Sequence, residues 1–300
     1  MMDINNLNAK FSIPGQLCLT KLENQFIALN ITNNFADAQI SLYGAQIISY
    51  TPKNEVDMLW LSPTSYFTEG KAIRGGIPVC FPWFGPHPSD QSKPQHGFGR
   101  ILNWELAETR LTSKDEIEVK LRLQSSPATK SYWPFDFLAE ITFLIGKTIT
   151  VTLKVINQSD LPVEYSCALH TYLRVKEIQD CAILGLQDCL YQEDSEQIMH
   201  TEKEAKLTIN QEVDRNYTNT AGYYSLVDPN LNRTIRIHKT GSLITTVWNP
   251  GSQKSQSLKD MPDDGYKNFV CIEAVNALFN TIKLAPGEAH ETSTKLELED

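Results

Sequence analysis

The sequence predicts an all-β chain, on three observations. The run EIEVKLRLQ alternates Ile117, Val119, Leu121 and Leu123 with charged residues, which puts one face of a strand in a core and the other in water. EITFLIGKTITVTLKVINQ keeps that period on both sides of Gly146-Lys147, with Ile141, Phe143 and Ile145 before it and Ile149, Val151, Leu153 and Val155 after it, as a hairpin does. No long amphipathic helix, internal repeat or low-complexity tract competes with these patterns.

Taken in order, FIALNIT, AQISLYGAQIISYT and DMLWLS read as strands of a meander, separated by Asn, Asp, Gly and Pro. In the hairpin, Thr148, Thr150, Thr152 and Lys154 face outward. VEYSCALHTYLRVKE reads as one strand, with Cys167, Leu169, Leu173 and Val175 on one face and Ser166, His170, Tyr172 and Arg174 on the other. The pattern loosens over residues 187–217, where LTINQEVDRNY looks like a strand running into a turn. NRTIRIHKTGSLITTVWNP reads as a hairpin turning at Gly241, with His238 a surface histidine without a partner. KDMPDDGYKN is a loop or a single helical turn, and NFVCIEAVNAL is a buried strand. TIKLAPGEAHETSTKLEL closes the chain as a pair of strands around Pro286-Gly287. No linker divides residues 1–300, so they are read as one domain.

Composition narrows the partners. A hydrophobic content of 41% against 21% charged residues can bury a sizeable core. A net charge of -9 argues against nucleic acid or an anionic membrane, which both need a basic surface. An anionic small molecule stays possible where cations are concentrated, as they are around Arg74 and Arg100. MMDINNLNAKF has no charged-then-apolar leader pattern and no run is apolar enough to span a bilayer, so a cytoplasmic location is expected. The cysteines, Cys18, Cys80, Cys167, Cys181, Cys189 and Cys271, form no CxxC pair, and the histidines form no HExxH, so neither a disulfide framework nor a zinc site is expected.

Chemistry concentrates in residues 71–104, KAIRGGIPVCFPWFGPHPSDQSKPQHGFGRILNW. Pro78, Pro82, Pro86, Pro88 and Pro94 remove too many backbone donors for a central strand. Phe81, Trp83, Phe84 and Phe98 supply the apolar surface to fold such a loop onto a scaffold, leaving Arg74, His87, Gln95, His96 and Arg100 exposed. A Pro-rich cover with two solvated arginines accounts for the same composition. Elsewhere, His170 fits either a satisfied structural histidine or a site on a polar sheet face. Asp214 alone reads as a turn residue. Glu273 lies in an otherwise apolar run, where a carboxylate is costly unless hydrogen-bonded or given a task; an exposed strand end is the alternative.

The segments IRGGIPVCFPWFG and PQHGFGR resemble the signature of the hexose-6-phosphate mutarotases, the glucose-6-phosphate 1-epimerase branch of the aldose 1-epimerase family. That signature also anticipates the His of CALHTYLRV, the Asp of EVDRNY and the Glu of VCIEAVN. The resemblance implies a large antiparallel β-sandwich of the galactose-mutarotase type with the site on a concave sheet face. It implies Glu273 as base and His170 as acid, Arg74, Gln95, Arg100 and Asp214 as substrate-binding residues, and His96 as an accessory donor. One acid and one base suffice to open and reclose a sugar ring, so no metal or other cofactor is expected. Arginine suits phosphate, while Gln and Asp suit hydroxyls, so the expected partner is a sugar phosphate, with glucose 6-phosphate foremost. Other classes that fit are a free-sugar epimerase, a non-catalytic sugar-phosphate sensor, and a glycoside hydrolase pairing Glu273 with Asp214. Two positions depart from the pattern: Phe135 in YWPFDF stands where a His is expected, and Gly99, where Ala is expected, loosens the arm carrying Arg100.

Overall fold

Period-two burial is the local rule on which the architecture is built. The computed structural model describes residues 3–193, 196, 198–218, 220 and 222–299. Met1 and Met2 of the N-terminal reading, and Asp194, Ser195 and Gln197 of the loosened stretch, lie outside the described residues. In Phe137–Ile145 and Ile149–Asn157 buried and half-buried residues alternate without exception. These strands pair with Ile145 opposite Ile149 across a turn at residues 146–148.

They belong to an eight-stranded antiparallel sheet ordered Ala182–Leu184, Tyr223–Asp228, Arg233–Thr240, Ala289–Leu298, Ile149–Asn157, Phe137–Ile145, Ile117–Gln124 and Glu105–Leu111. A second eight-stranded sheet runs Met199–Thr201, Leu190–Glu193, Val213–Thr218, Ile244–Asn249, Phe269–Asn276, Cys167–Leu169 and Val79–Cys80, with Tyr172–Arg174 also paired to Phe269–Asn276. The N-terminal meander, Leu17–Lys21, Ile27–Thr32, Ala36–Ser41 and Gln46–Pro52, forms a four-stranded sheet. One core joins all three. Val119, Ile141 and Val151 of the first sheet meet Leu173, Val247 and Ile272 of the second and Leu29 and Ile40 of the meander. The fold is an all-β antiparallel sandwich.

Several connections differ from the sequence expectation. Arg233–Thr240 and Ile244–Asn249 are not a hairpin, because the first pairs within one large sheet and the second within the other. Gly241, at φ 69°, makes that crossing, and a Cβ there would lie 1.8 Å from the Glu291 carbonyl oxygen. Ile282–Leu284 pairs with Val163–Tyr165 while Ala289–Leu298 joins the first sheet, so the closing strands do not pair with each other. DMLWLS forms only isolated bridges, Leu59 to Leu173 and Leu61 to Gly75, since Asp57 accepts from the Tyr50 and Leu59 amides that a ladder would use. The expected strand over 163–177 is three short pieces. Asp214 is not in a turn but second in the strand Val213–Thr218. His238 does have a partner, the Tyr223 ring stacked on it at 4.2 Å.

Candidate active site

Antiparallel register assembles the site from four strands. Leu169 faces Ala274 and Tyr172 faces Cys271, so the break at residues 170–171 keeps register and sets His170 across from Glu273. On Glu273's other side stands Thr246, and beyond it Asn216. A parallel row two residues away runs Asp214, Trp248, Cys271 and Tyr172. Both rows turn away from the sandwich core, because Val270, Ile272 and Ala274 between them point into it. His170 Nδ1 lies 3.2 Å from Glu273 Oε1.

The loop over residues 74–100 walls these rows. It is held by its aromatic and glycine residues, as its composition suggests: Trp83 donates to the Pro94 carbonyl at 2.8 Å and Trp104 to that of Gly99 at 2.8 Å. Gly97, at φ 75°, passes so close to Phe81 that a Cβ would sit 2.1 Å from its carbonyl oxygen. Gly99 does not loosen the arm: its amide donates to Phe81 at 2.9 Å and a Cβ there would come within 3.2 Å of the Val79 oxygen. Phe135 packs on Trp133 at 5.1 Å, at the edge of the main core. Arg74, Gln95, His96, Arg100, His170, Asp214 and Glu273 all line one pocket of about 260 Å³.

Their states differ from the expected exposed set. Arg74 and Arg100 are half-buried. Arg74 is engaged by Asp260, through Nε at 3.0 Å and through a terminal nitrogen at 2.9 Å, and donates to the Tyr172 hydroxyl at 3.1 Å. Arg100 donates to the Gln95 carbonyl at 2.9 Å while its Nε is buried without a partner. Gln95 itself stays exposed. His96 accepts from the Gly85 amide through Nδ1 at 3.2 Å, so its neutral ring carries the proton on Nε2 as a donor. Asp214 Oδ2 lies 3.9 Å from Lys254.

Burial dominates the electrostatics. It pushes the Glu273 carboxyl well above the usual carboxylate range, Asp214 adds to that, and Arg100 opposes it. Burial likewise drives His170 well below the imidazole range, aided by Arg100 and Arg74. His96 is lowered by burial and then by Arg100. The 3.2 Å contact to Oε1 lacks hydrogen-bond alignment, so His170 Nδ1 is buried without a partner, and the other carboxyl oxygen, Glu273 Oε2, is buried without one as well. Such atoms typically cost about 1–3 kcal/mol each, and three of them, with Arg100 Nε, converge on one pocket.

His170, Cys271 and Glu273 also bring metal-ligand atoms within 4.8 Å of one another. Burial and Glu273 push the Cys271 thiol well up, against the thiolate a metal would need, and it packs in a cluster with Trp60, Tyr172 and Trp248. Sequence reasoning missed Asp260, Asn216, Thr246, Trp248 and Lys254. The first is remote in sequence from Arg74, but period two from Asp214 would have reached Asn216.

The aldose 1-epimerase family model matches residues 28–297. A "Putative glucose-6-phosphate 1-epimerase" of Salmonella typhimurium is 38% identical over 242 residues, 80% of each chain. One of Cenchrus ciliaris with the same name is 31% identical over 260 residues, 84% of this chain and 78% of its own. The crystal structure of a "putative mutarotase" from Salmonella typhimurium is similar with a TM-score of 0.89 and 32% identity, covering 99% of both chains. A galactose mutarotase-like protein of Lactobacillus casei shares the fold at a TM-score of 0.73 with 16% identity. Among the described residues no helix is long and apolar enough to cross a membrane. With a matching family model over nearly its whole length and a carboxylate and imidazole paired on its second sheet, the chain belongs to the aldose 1-epimerase family.

Proposed function

We propose that the protein interconverts the α and β anomers of a hexose 6-phosphate, with glucose 6-phosphate as substrate, and that Glu273 and His170 carry the proton transfers. The observation that carries this reading is the buried His170–Glu273 contact of 3.2 Å in a pocket that also holds Arg74 and Arg100. Glu273 takes the proton of the anomeric hydroxyl while His170 gives one to the ring oxygen, the C1–O5 bond breaks, and C1 becomes a carbonyl. Rotation about C1–C2 presents the other face, and the same two protons return on reclosure.

The cycle needs one proton on the pair. In the free protein burial favours that proton on Glu273, since the carboxyl is raised and the imidazole lowered. Two of the causes acting on His170 are Arg100 and Arg74. A phosphate dianion beside these arginines offsets their field and makes the imidazolium easier to form. The substrate's own charge thereby helps to place the proton where ring opening uses it. Asp214 and Gln95 fit the sugar hydroxyls, and the His96 Nε2–H is an accessory donor. The chain names given to the relatives agree with this substrate.

The test is NMR exchange between the anomers of glucose 6-phosphate, with and without protein, beside glucose. Accelerated exchange of the phosphorylated sugar alone supports the proposal. Equal acceleration of glucose assigns the site to free sugars, and binding without acceleration makes the protein a sensor.

A further inference from the structure

A second recess, of about 690 Å³, shares no lining residue with the pocket around Glu273. Val56, Leu61, Pro63 and Leu231 make its walls apolar, and it reaches Trp60. Two cations open into it, Arg174 and Lys176. Arg174 Nε donates to the Leu59 carbonyl at 3.3 Å, and neither cation has an ion-pair partner among the described residues. Of the two carboxylates there, Asp57 has both oxygens taken, by Ser49 and by the Tyr50 and Leu59 amides. Asp264 is exposed at the rim.

A ligand matched to these groups carries an anion for the two cations, hydroxyls to donate to Asp264, and C–H surface for the apolar wall. A sugar phosphate has all three. We propose that this recess is a second sugar-phosphate site, coupled to the acid–base pair. The coupling, though not the binding, rests on the roles given above to His170 and Glu273.

Two physical connections join the sites. Trp60 stacks on Tyr172 at 5.9 Å and 22°, and Tyr172 stacks on His170 at 4.8 Å and 9°, so three parallel plates run from the recess to the imidazole. The segment over residues 258–265 serves both sides: Pro262 and Asp264 line the recess, Leu258 lines the catalytic pocket, and Asp260 holds Arg74. A ligand that fixes this segment therefore bears on Arg74 and on the ring against His170.

Glucose 1-phosphate is the probe, because its blocked anomeric oxygen prevents turnover. Calorimetry is done on the full chain carrying Arg100→Ala, which weakens the catalytic pocket, and on the same chain with Arg174→Gln and Lys176→Gln added. Circular dichroism checks that each variant is folded. The expected result is binding in the first that falls at least about tenfold in the second, as loss of charge-assisted contacts implies. In the otherwise native protein, competition at the catalytic pocket raises KM alone, so occupancy of the recess is read in kcat: glucose 1-phosphate should change kcat for glucose 6-phosphate about fivefold, an effect that the Arg174→Gln/Lys176→Gln variant loses while keeping native basal kinetics. No binding to the Arg100→Ala chain, equal binding to both chains, or purely competitive inhibition that survives Arg174→Gln/Lys176→Gln would each overturn the proposal. Absence of anomer exchange in the native protein counts against the proposed function, while the calorimetry still decides the recess.

Discussion

Asp260→Asn tests whether Arg74 works as a placed group. The carboxylate accepts from Arg74 Nε at 3.0 Å and from a terminal nitrogen at 2.9 Å, both on Oδ2, while its backbone carbonyl is held by Ser62 at 2.7 Å. Asparagine keeps the shape and the backbone anchor but removes the charge. A hydrogen bond to a charged group is worth about 1.5–3 kcal/mol. With side chains 21% and 16% exposed and one oxygen shared, the lower figure applies, about 1.5 kcal/mol or roughly tenfold. KM for glucose 6-phosphate should therefore rise about tenfold, with kcat changed less, because the phosphate is remote from the anomeric carbon. NMR exchange kinetics at fixed low salt measure both constants. Arg74→Ala should raise KM similarly, and the double variant should be no worse than either, since both remove one arrangement. Additive losses, or a KM that falls in Asp260→Asn, would show that Asp260 restrains the cation's charge instead of positioning it.

Three further outcomes follow from the acid–base pair. His170→Asn and Glu273→Gln should each reduce anomer exchange at saturating glucose 6-phosphate by about 10²- to 10⁴-fold, with the double variant little worse; a near-native single variant removes that residue from the mechanism. The rate at trace substrate should be bell-shaped in pH. Its acid limb marks a second proton on the pair and its alkaline limb the loss of the last one, displaced above the ordinary carboxyl range because Glu273 is raised. Substrate phosphate, which titrates near pH 6, is separated by repeating the profile with a phosphonate analogue; a rate independent of pH would refute the pair. Stability should show the same linkage. A group whose folded pKa is raised contributes fully below its unfolded value and loses that contribution as pH rises through the folded value, so native Glu273 costs most on the alkaline side. Glu273→Gln does not titrate, and its melting temperature should exceed the native one by a margin that grows from pH 4 to pH 9; a constant margin would contradict the carboxyl's elevation.

What the sequence made legible was local. Alternation identified Ile117–Gln124 and the Phe137–Ile145/Ile149–Asn157 pair, because each strand has one face against the core and one toward water. It also placed Glu273 on a buried strand, since Val270, Cys271 and Ile272 leave no polar face. It failed where backbone partners are distant. The segment around Gly241 looks like a hairpin, but nothing in its residues reports that the strands on either side enter different sheets. Asp214 resembled a turn residue because its strand partner, Trp248, is remote in sequence. Arg74 looked free for the same reason: its counter-charge, Asp260, comes from another loop.

The backbone register that sets His170 across from Glu273 has a bearing on how this protein diversifies. Of the two residues proposed to handle protons, Glu273 sits on a strand paired on both edges and His170 in the short break between two strands paired to it, where a substitution is felt across the ladder. Arg100 and His96 ride instead on a wall whose tip, from Pro86 to Gln95, is open to solvent over much of its length. Insertions and exchanges there can alter what is gripped at the far end of a sugar while the reacting end stays in its mould. Selection for a new substrate would thus find its variation in the wall and its constancy in the ladder.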